Sequence, residues 1–169
     1  MVNIIIGDNS IGKTKYLLDL AGEYYRECVS SLNINLDNDV VPISKKKYEE
    51  LKSILGTTQT GLNGNKISFI NHDLDGQIVF CSDELRNIFS LLCKDTKLIF
   101  LDEPEINLSL DELLTLLYVL EIRDNQEDDI WITTHSSYLT GIYKFKYFTI
   151  DEDEKLVEIK VEVSNEYTD

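Results

Sequence analysis

The sequence predicts an α/β protein, a mostly parallel central sheet flanked by helices, in a single domain of 169 residues. Three observations carry the prediction. Val2-Asn3-Ile4-Ile5-Ile6 and Leu98-Ile99-Phe100-Leu101 are apolar runs without polar alternation, the pattern of strands buried on both faces. The first run ends in a glycine loop and passes into apolar residues at helical spacing: Tyr16, Leu17, Leu20, Ala21 and Tyr24. With 43% hydrophobic residues, the chain can bury a core of the size such a sheet needs.

The elements follow in order. A strand over 2–6 leads through the glycine loop to a helix over 13–28. A short strand over 40–43, interrupted by its own Pro42, precedes a polar helix over 44–55. Residues 56–65, rich in Thr, Gly, Asn and Gln, are expected to be a loop. Strands over 67–70 and 77–80 flank a polar turn and read as a hairpin. A helix over 83–93, a buried strand over 97–101, an apolar helix over 110–122 and a strand over 130–133 come next. The chain closes with a C-terminal hairpin, 147–163, across Asp151-Glu152-Asp153-Glu154, read as a solvated tip. Residues 45–80 then form a reduced helical and hairpin lobe inserted in the single domain.

Lys and Arg number 16 against 31 Asp and Glu, a net charge of −15, which opposes a broad grip on nucleic acid. The compact basic run Lys45-Lys46-Lys47 is expected on a solvated helix face. No apolar run is long enough to span a bilayer, and Asp8 and Lys13 break any leader-like pattern at the start. Cys28, Cys81 and Cys93 lack metal-ligand spacing and are odd in number, against a disulfide framework. A soluble, cytoplasmic protein is expected.

Gly7-Asp8-Asn9-Ser10-Ile11-Gly12-Lys13-Thr14 fits the phosphate-loop pattern G-x-x-x-x-G-K-[ST] at every fixed position. Gly7 and Gly12 admit backbone angles that let successive N–H groups converge on phosphate oxygens, and the following helix adds its positive end. Lys13 is placed to reach the β- and γ-phosphates, and the Thr14 hydroxyl to ligate Mg²⁺.

The strand over 98–101 ends in Asp102-Glu103-Pro104-Glu105. In a nucleotide fold the first acid, Asp102, serves Mg²⁺, and Glu103 is placed to orient and deprotonate a water. Trp131-Ile132-Thr133-Thr134-His135-Ser136 is a further strand that ends in a group able to donate to phosphate.

Together these segments resemble the ATP-binding-cassette (ABC) ATPases, over residues 2 to about 150. Residues 7–14 resemble the family's Walker A loop, with Asn9 at its frequent Asn position. Residues 98–105 look like Walker B, and Thr133-Thr134-His135-Ser136 like the switch-histidine loop. The resemblance implies a P-loop NTPase fold, Mg·ATP as ligand, Glu103 as catalytic glutamate and His135 against the γ-phosphate. Glu105-Ile106-Asn107-Leu108-Ser109-Leu110 looks closer to the RecF/OLD/SMC-like branch than to transporter motors.

The family hydrolyses ATP in a head-to-tail dimer, so Ser82 would act in trans on a second subunit's nucleotide. Here Asp83 or Glu84 stands where the family's signature has glycine. For the adenine contact Tyr16 or Tyr143 is expected to substitute, and for the Mg²⁺-sensing glutamine Gln59 or Gln77. The function expected is Mg-dependent ATP hydrolysis that drives or regulates a partner, an effector or modifying enzyme, through ATP-dependent homodimerisation or hetero-complex formation. An ATP-binding switch with little turnover, a transporter motor subunit and a small P-loop kinase are the alternatives.

Overall fold

The computed structural model describes residues 1–8, 11–24, 28–31, 41–55, 59–60, 66–67, 70–72, 78–80, 82–124, 128–136, 139–140 and 144–160. Its principal sheet has six strands in the order β10-β9-β1-β8-β7-β2. These are β1 (Val2–Ile6), β2 (Cys28–Ser30), β7 (Leu98–Asp102), β8 (Asp129–Thr134), β9 (Lys146–Ile150) and β10 (Leu156–Ile159). Five of them run parallel, and β10 turns back antiparallel to β9 as the predicted hairpin.

Alternation along the strands assigns the two faces of the sheet. Val2, Ile4, Ile99, Leu101, Ile130 and Ile132 point to one face and join α3 (Asp83–Leu92) and α4 (Leu110–Arg123) in the main core. Phe100 points to the other face, where it packs with Leu17 and Ala21 of α1 (Lys13–Glu23). On that face Trp131 also meets Phe148, their ring centroids 5.3 Å apart.

Two serines start the helices of the main core. Ser109 caps α4 in a full capping box with Glu112, and Ser82 caps α3 by accepting from Leu85 N at 3.2 Å. Ser82 also donates to the Glu112 carboxylate, so one buried Glu joins both helix starts. A Ser109→Ala change is expected to lower stability by about 1 kcal/mol, read as a shifted midpoint in urea unfolding.

The structure corrects several expectations outside the sheet's centre. The first helix ends at Glu23, and Cys28, expected as its last residue, instead opens edge strand β2, which pairs with β7. Residues 41–43 form no strand. Ile43 makes a single bridge to Lys94, while the carbonyl of Pro42, which has no N–H of its own, accepts from Asp95 N.

α2 (Lys45–Leu55) follows, with Lys47 N 3.3 Å from the Ser44 hydroxyl. β3 (Gln59–Thr60), within the stretch read as a loop, pairs with β4 (Lys66–Ile67) just beyond it. The second hairpin is β5 (Ile70–His72) with β6 (Ile78–Phe80), so Ile67 belongs to the first pair and not to this one.

Lys47 is likewise not on a solvated face. Its ammonium reaches the carbonyls of Lys94 and Thr96 at 2.8 and 2.6 Å and the Asp128 carboxylate at 2.9 Å. Asp128 in turn accepts from Arg123, whose guanidinium also donates to Leu92 O at 3.1 Å. α2 is thereby tied to the ends of α3 and α4. Among the described residues no helix is long and apolar enough to cross a membrane.

Candidate functional site

Parallel pairing puts the carboxyl ends of β1, β8 and β7 side by side. Ile5 and Asp102 both stand in register with Thr133, and Ile6 with Thr134. In open α/β sheets this edge is where ligands bind. Gly7 leaves β1 at φ 137°, and a Cβ there would stand 2.2 Å from Ile11 Cδ1. Gly12 adopts φ 85° at the start of α1. Both angles disfavour any L side chain, so the two glycines of the motif stand where the backbone requires them.

No side chain caps α1 and no acid occupies its first turn, whereas α3 and α4 have both. Its first N–H groups are thus left to an anion. Asn9 and Ser10 lie outside the described residues. Ile11 closes a turn, its N–H donating to Asp8 O at 3.2 Å.

Lys13 is 3% exposed and donates to the carbonyls of Gly7 and of Asp8, the latter at 3.0 Å. Burial pushes its ammonium below the ordinary lysine range, against the opposing pull of Glu103, Asp8, Asp102 and Glu105. Beside it, Thr14 Oγ1 donates to Asp102, 3.0 Å from Oδ1 and 3.3 Å from Oδ2. Asp102 Oδ1 also accepts from Thr133 Oγ1 at 2.6 Å, and its own N–H donates to Ser31 at 2.9 Å.

Glu103 stands at φ 44°, a left-handed conformation that costs a non-glycine residue roughly 1–2 kcal/mol. Its neighbours impose it: the Glu103 N–H donates to both the carbonyl and the hydroxyl of Thr133, at 3.0 and 2.9 Å. The Glu103 carboxylate pairs with His135 Nε2. Glu105 then ties the histidine loop down, accepting on one oxygen from Thr134 Oγ1 at 2.7 Å and from His135 N at 2.8 Å.

Lys13, Thr14, Asp102, Glu103 and His135 are therefore brought together. Ser82 is engaged elsewhere, with Glu112 and Leu85. Gln59 lies in β3, in a separate two-stranded sheet. Gln77 and Tyr143 fall outside the described residues. Tyr16 follows the loop on α1, half-buried beside Ile11 and Gly12. Sequence reasoning gave no individual role to Thr133, Glu105 or Ser31, although the first two fell within the segments read as the switch-histidine loop and Walker B.

Among the described residues no group of three or more His, Cys, Asp or Glu could hold a metal by itself. The Thr14 hydroxyl and Asp102 carboxylate are a hard, oxygen-only pair, the donor set from which Mg²⁺ is held when substrate phosphates supply other ligands.

A solved structure described as a cobalt transport ATP-binding protein (CbiO) superposes on 95% of this chain and 69% of its own, with TM-score 0.54 and 17% identity. The fold is that of a P-loop NTPase. No protein-family model and no curated protein matches the sequence. The neighbour supports an ABC-type P-loop fold, and the RecF/OLD/SMC-like likeness of residues 105–110 gains nothing from it. Since the P-loop fold serves many activities, the chemistry has to be argued from the site.

Proposed function

We propose that this chain binds and hydrolyses Mg·ATP as a minimal ABC-type ATPase. In this reading it drives or regulates a partner protein through ATP-dependent dimerisation or complex formation. The observation that carries the proposal is the meeting of Lys13, the Thr14–Asp102 pair and the Glu103–His135 pair at one edge of the sheet.

Each residue then has a role. The Lys13 ammonium turns from the Gly7 and Asp8 carbonyls to β- and γ-phosphate oxygens, and the uncapped start of α1 donates to the same chain. Thr14 and Asp102 hold Mg²⁺, which supplies neutralisation of phosphate charge. That neutralisation matters here, because Asp8, Asp102, Glu103 and Glu105 all surround Lys13. Glu103 accepts the proton of the water whose oxygen attacks the γ-phosphorus, and ADP leaves with the bridging oxygen. His135 orients the Glu103 carboxylate and stands against the γ-phosphate as charge redistributes. Ser82, at the start of α3, is the candidate to meet a second subunit's nucleotide.

The test is equilibrium binding of Mg·ATP, followed by ADP release. A Lys13→Ala change removes the buried cation and is expected to weaken ATP at least about tenfold. Unchanged affinity would overturn the assignment of the loop. The cobalt transport neighbour favours a second reading, a transporter motor subunit. That reading requires a membrane protein bound at the lobe of residues 45–80, and co-purification of one would establish it. Direct nucleic-acid binding is not expected at a charge of −15.

A further inference from the structure

A cavity of about 570 Å³ lies at the far end of α1 from the phosphate loop. Leu20 and Tyr24, from the last turn of α1 and its cap, form one wall. Lys97, Leu98, Asp129 and Trp131, in the amino-terminal parts of β7 and β8, form the other. The cavity and the cluster of Lys13, Thr14 and Asp102 thus occupy opposite edges of the sheet.

Strand register explains the walls. Leu98 stands in register with Asp129 and Phe100 with Trp131, so all four side chains project to the face that α1 covers. Phe100 is fully buried with Leu17 and Ala21, whereas Leu20, Leu98 and Trp131 are half-buried and Tyr24 is 40% exposed. The packing that seals the middle of this face therefore opens toward its amino edge. Trp131 rests against Phe148, so its ring is held in place without help from a ligand.

The mouth of the cavity carries one charge of each sign. The Asp129 N–H donates to the Lys97 carbonyl at 2.7 Å, which sets the two residues side by side. Both side chains are exposed, yet among the described residues no ion pair joins them. The Asp129 carboxylate meets only the terminal amine, at 3.9 Å. A ligand with a single charged head engages one of the two groups, and an amphoteric one engages both.

We infer that this cavity binds a small amphoteric molecule with a flat apolar body, the chemistry of an aromatic amino acid. The body packs between Tyr24 and Trp131 against Leu20 and Leu98, a carboxylate faces the Lys97 ammonium, and an amine faces the Asp129 carboxylate. The volume falls within the roughly 300–1,000 Å³ usual for small-molecule sites. Apolar contact supplies most of the affinity, and the two exposed ion pairs select the head group. This site stands apart from the proposed ATP site and does not depend on it.

The test is equilibrium titration of the full chain with four compounds that share one ring system: L-tryptophan, tryptamine, indole-3-propionate and indole. L-Tryptophan is expected to bind tightest, and each single-headed analogue at least about threefold more weakly. Lys97→Ala should remove the advantage of tryptophan over tryptamine, and Asp129→Asn its advantage over indole-3-propionate. Tyr24→Ala should weaken all four by about fivefold. Lys97→Ala and Asp129→Asn alter exposed groups, so their comparison decides the matter even if the Tyr24 variant fails to fold.

Failure of all four compounds to bind the native protein would overturn the site. Equal affinity for indole and tryptophan would overturn the amphoteric reading, as would an unchanged order of the four in both charge variants. Mg·ATP should leave tryptophan bound. Displacement of tryptophan by Mg·ATP would assign the cavity to the nucleotide and overturn a separate site.

Discussion

Glu103→Gln is expected to cut hydrolysis by at least about a hundredfold while ATP remains bound. The substitution keeps the size of the side chain and removes the group that accepts the proton of water. It also exchanges the carboxylate facing His135 Nε2 for an amide. The backbone has little reason to move, because its left-handed turn at φ 44° is held by the Thr133 carbonyl and hydroxyl and not by the Glu103 side chain. Single-turnover ADP release measures the chemistry, and equal turnover in the variant would remove Glu103 from its role. The same variant, trapped with Mg·ATP, allows the mass to be read by light scattering behind a sizing column. A doubled mass shows a sandwich closed by Ser82; a monomer that retains ATP shows that the second half of the site comes from another protein.

The second large effect is on stability and lies far from the nucleotide. Asp128→Ala is expected to cost roughly 3–5 kcal/mol, measured by urea unfolding. Asp128 is 6% exposed and its Oδ2 serves both Arg123 and Lys47, the latter at 2.9 Å. Arg123 is itself 3% exposed, and its other carboxylate neighbour, Glu50, stands 3.9 Å away. Removing Asp128 leaves two cations in a space where Cys93 already feels burial strongly enough for its thiol to be pushed up to about 11. Asp128→Asn, which keeps an acceptor without the charge, should lose less than the alanine change. ATP affinity should not follow the stability, because this cluster sits at the amino ends of β7 and β8, the opposite edge from Lys13.

The sequence carried the centre of this molecule well and its margins poorly, for a physical reason. β1, β7 and β8 are buried on both faces, so their apolar runs declare themselves without tertiary context. The eight-residue motif at Gly7–Thr14 is equally local, since the glycine angles and the lysine are properties of one short turn.

β2 is different. Three residues are too few to show a period, and Tyr24 continued the helical spacing just past the true helix end at Glu23. Lys47 had the composition of a surface residue, and only folding sets Asp128 and the Lys94 and Thr96 carbonyls around its ammonium. The support around the candidate site was hidden in the same way. Thr133 and Glu105 act by holding the backbone N–H groups of Glu103 and His135 from about thirty residues away, a relation no spacing rule contains. The bond between Ser82 and Glu112, thirty residues apart, was equally hidden.

One consequence of the strand order concerns how the protein opens. β1 has a hydrogen-bonded parallel neighbour on each side, whereas β2 and β10 lie at the sheet's margins. Margins can fray while the rest stays native, but the central strand separates only when a neighbour on one side or the other is also given up. The loop that must hold its shape against a highly charged ligand is thus rooted in an interior strand that does not come loose alone. Breathing motions at either edge can proceed without disturbing it.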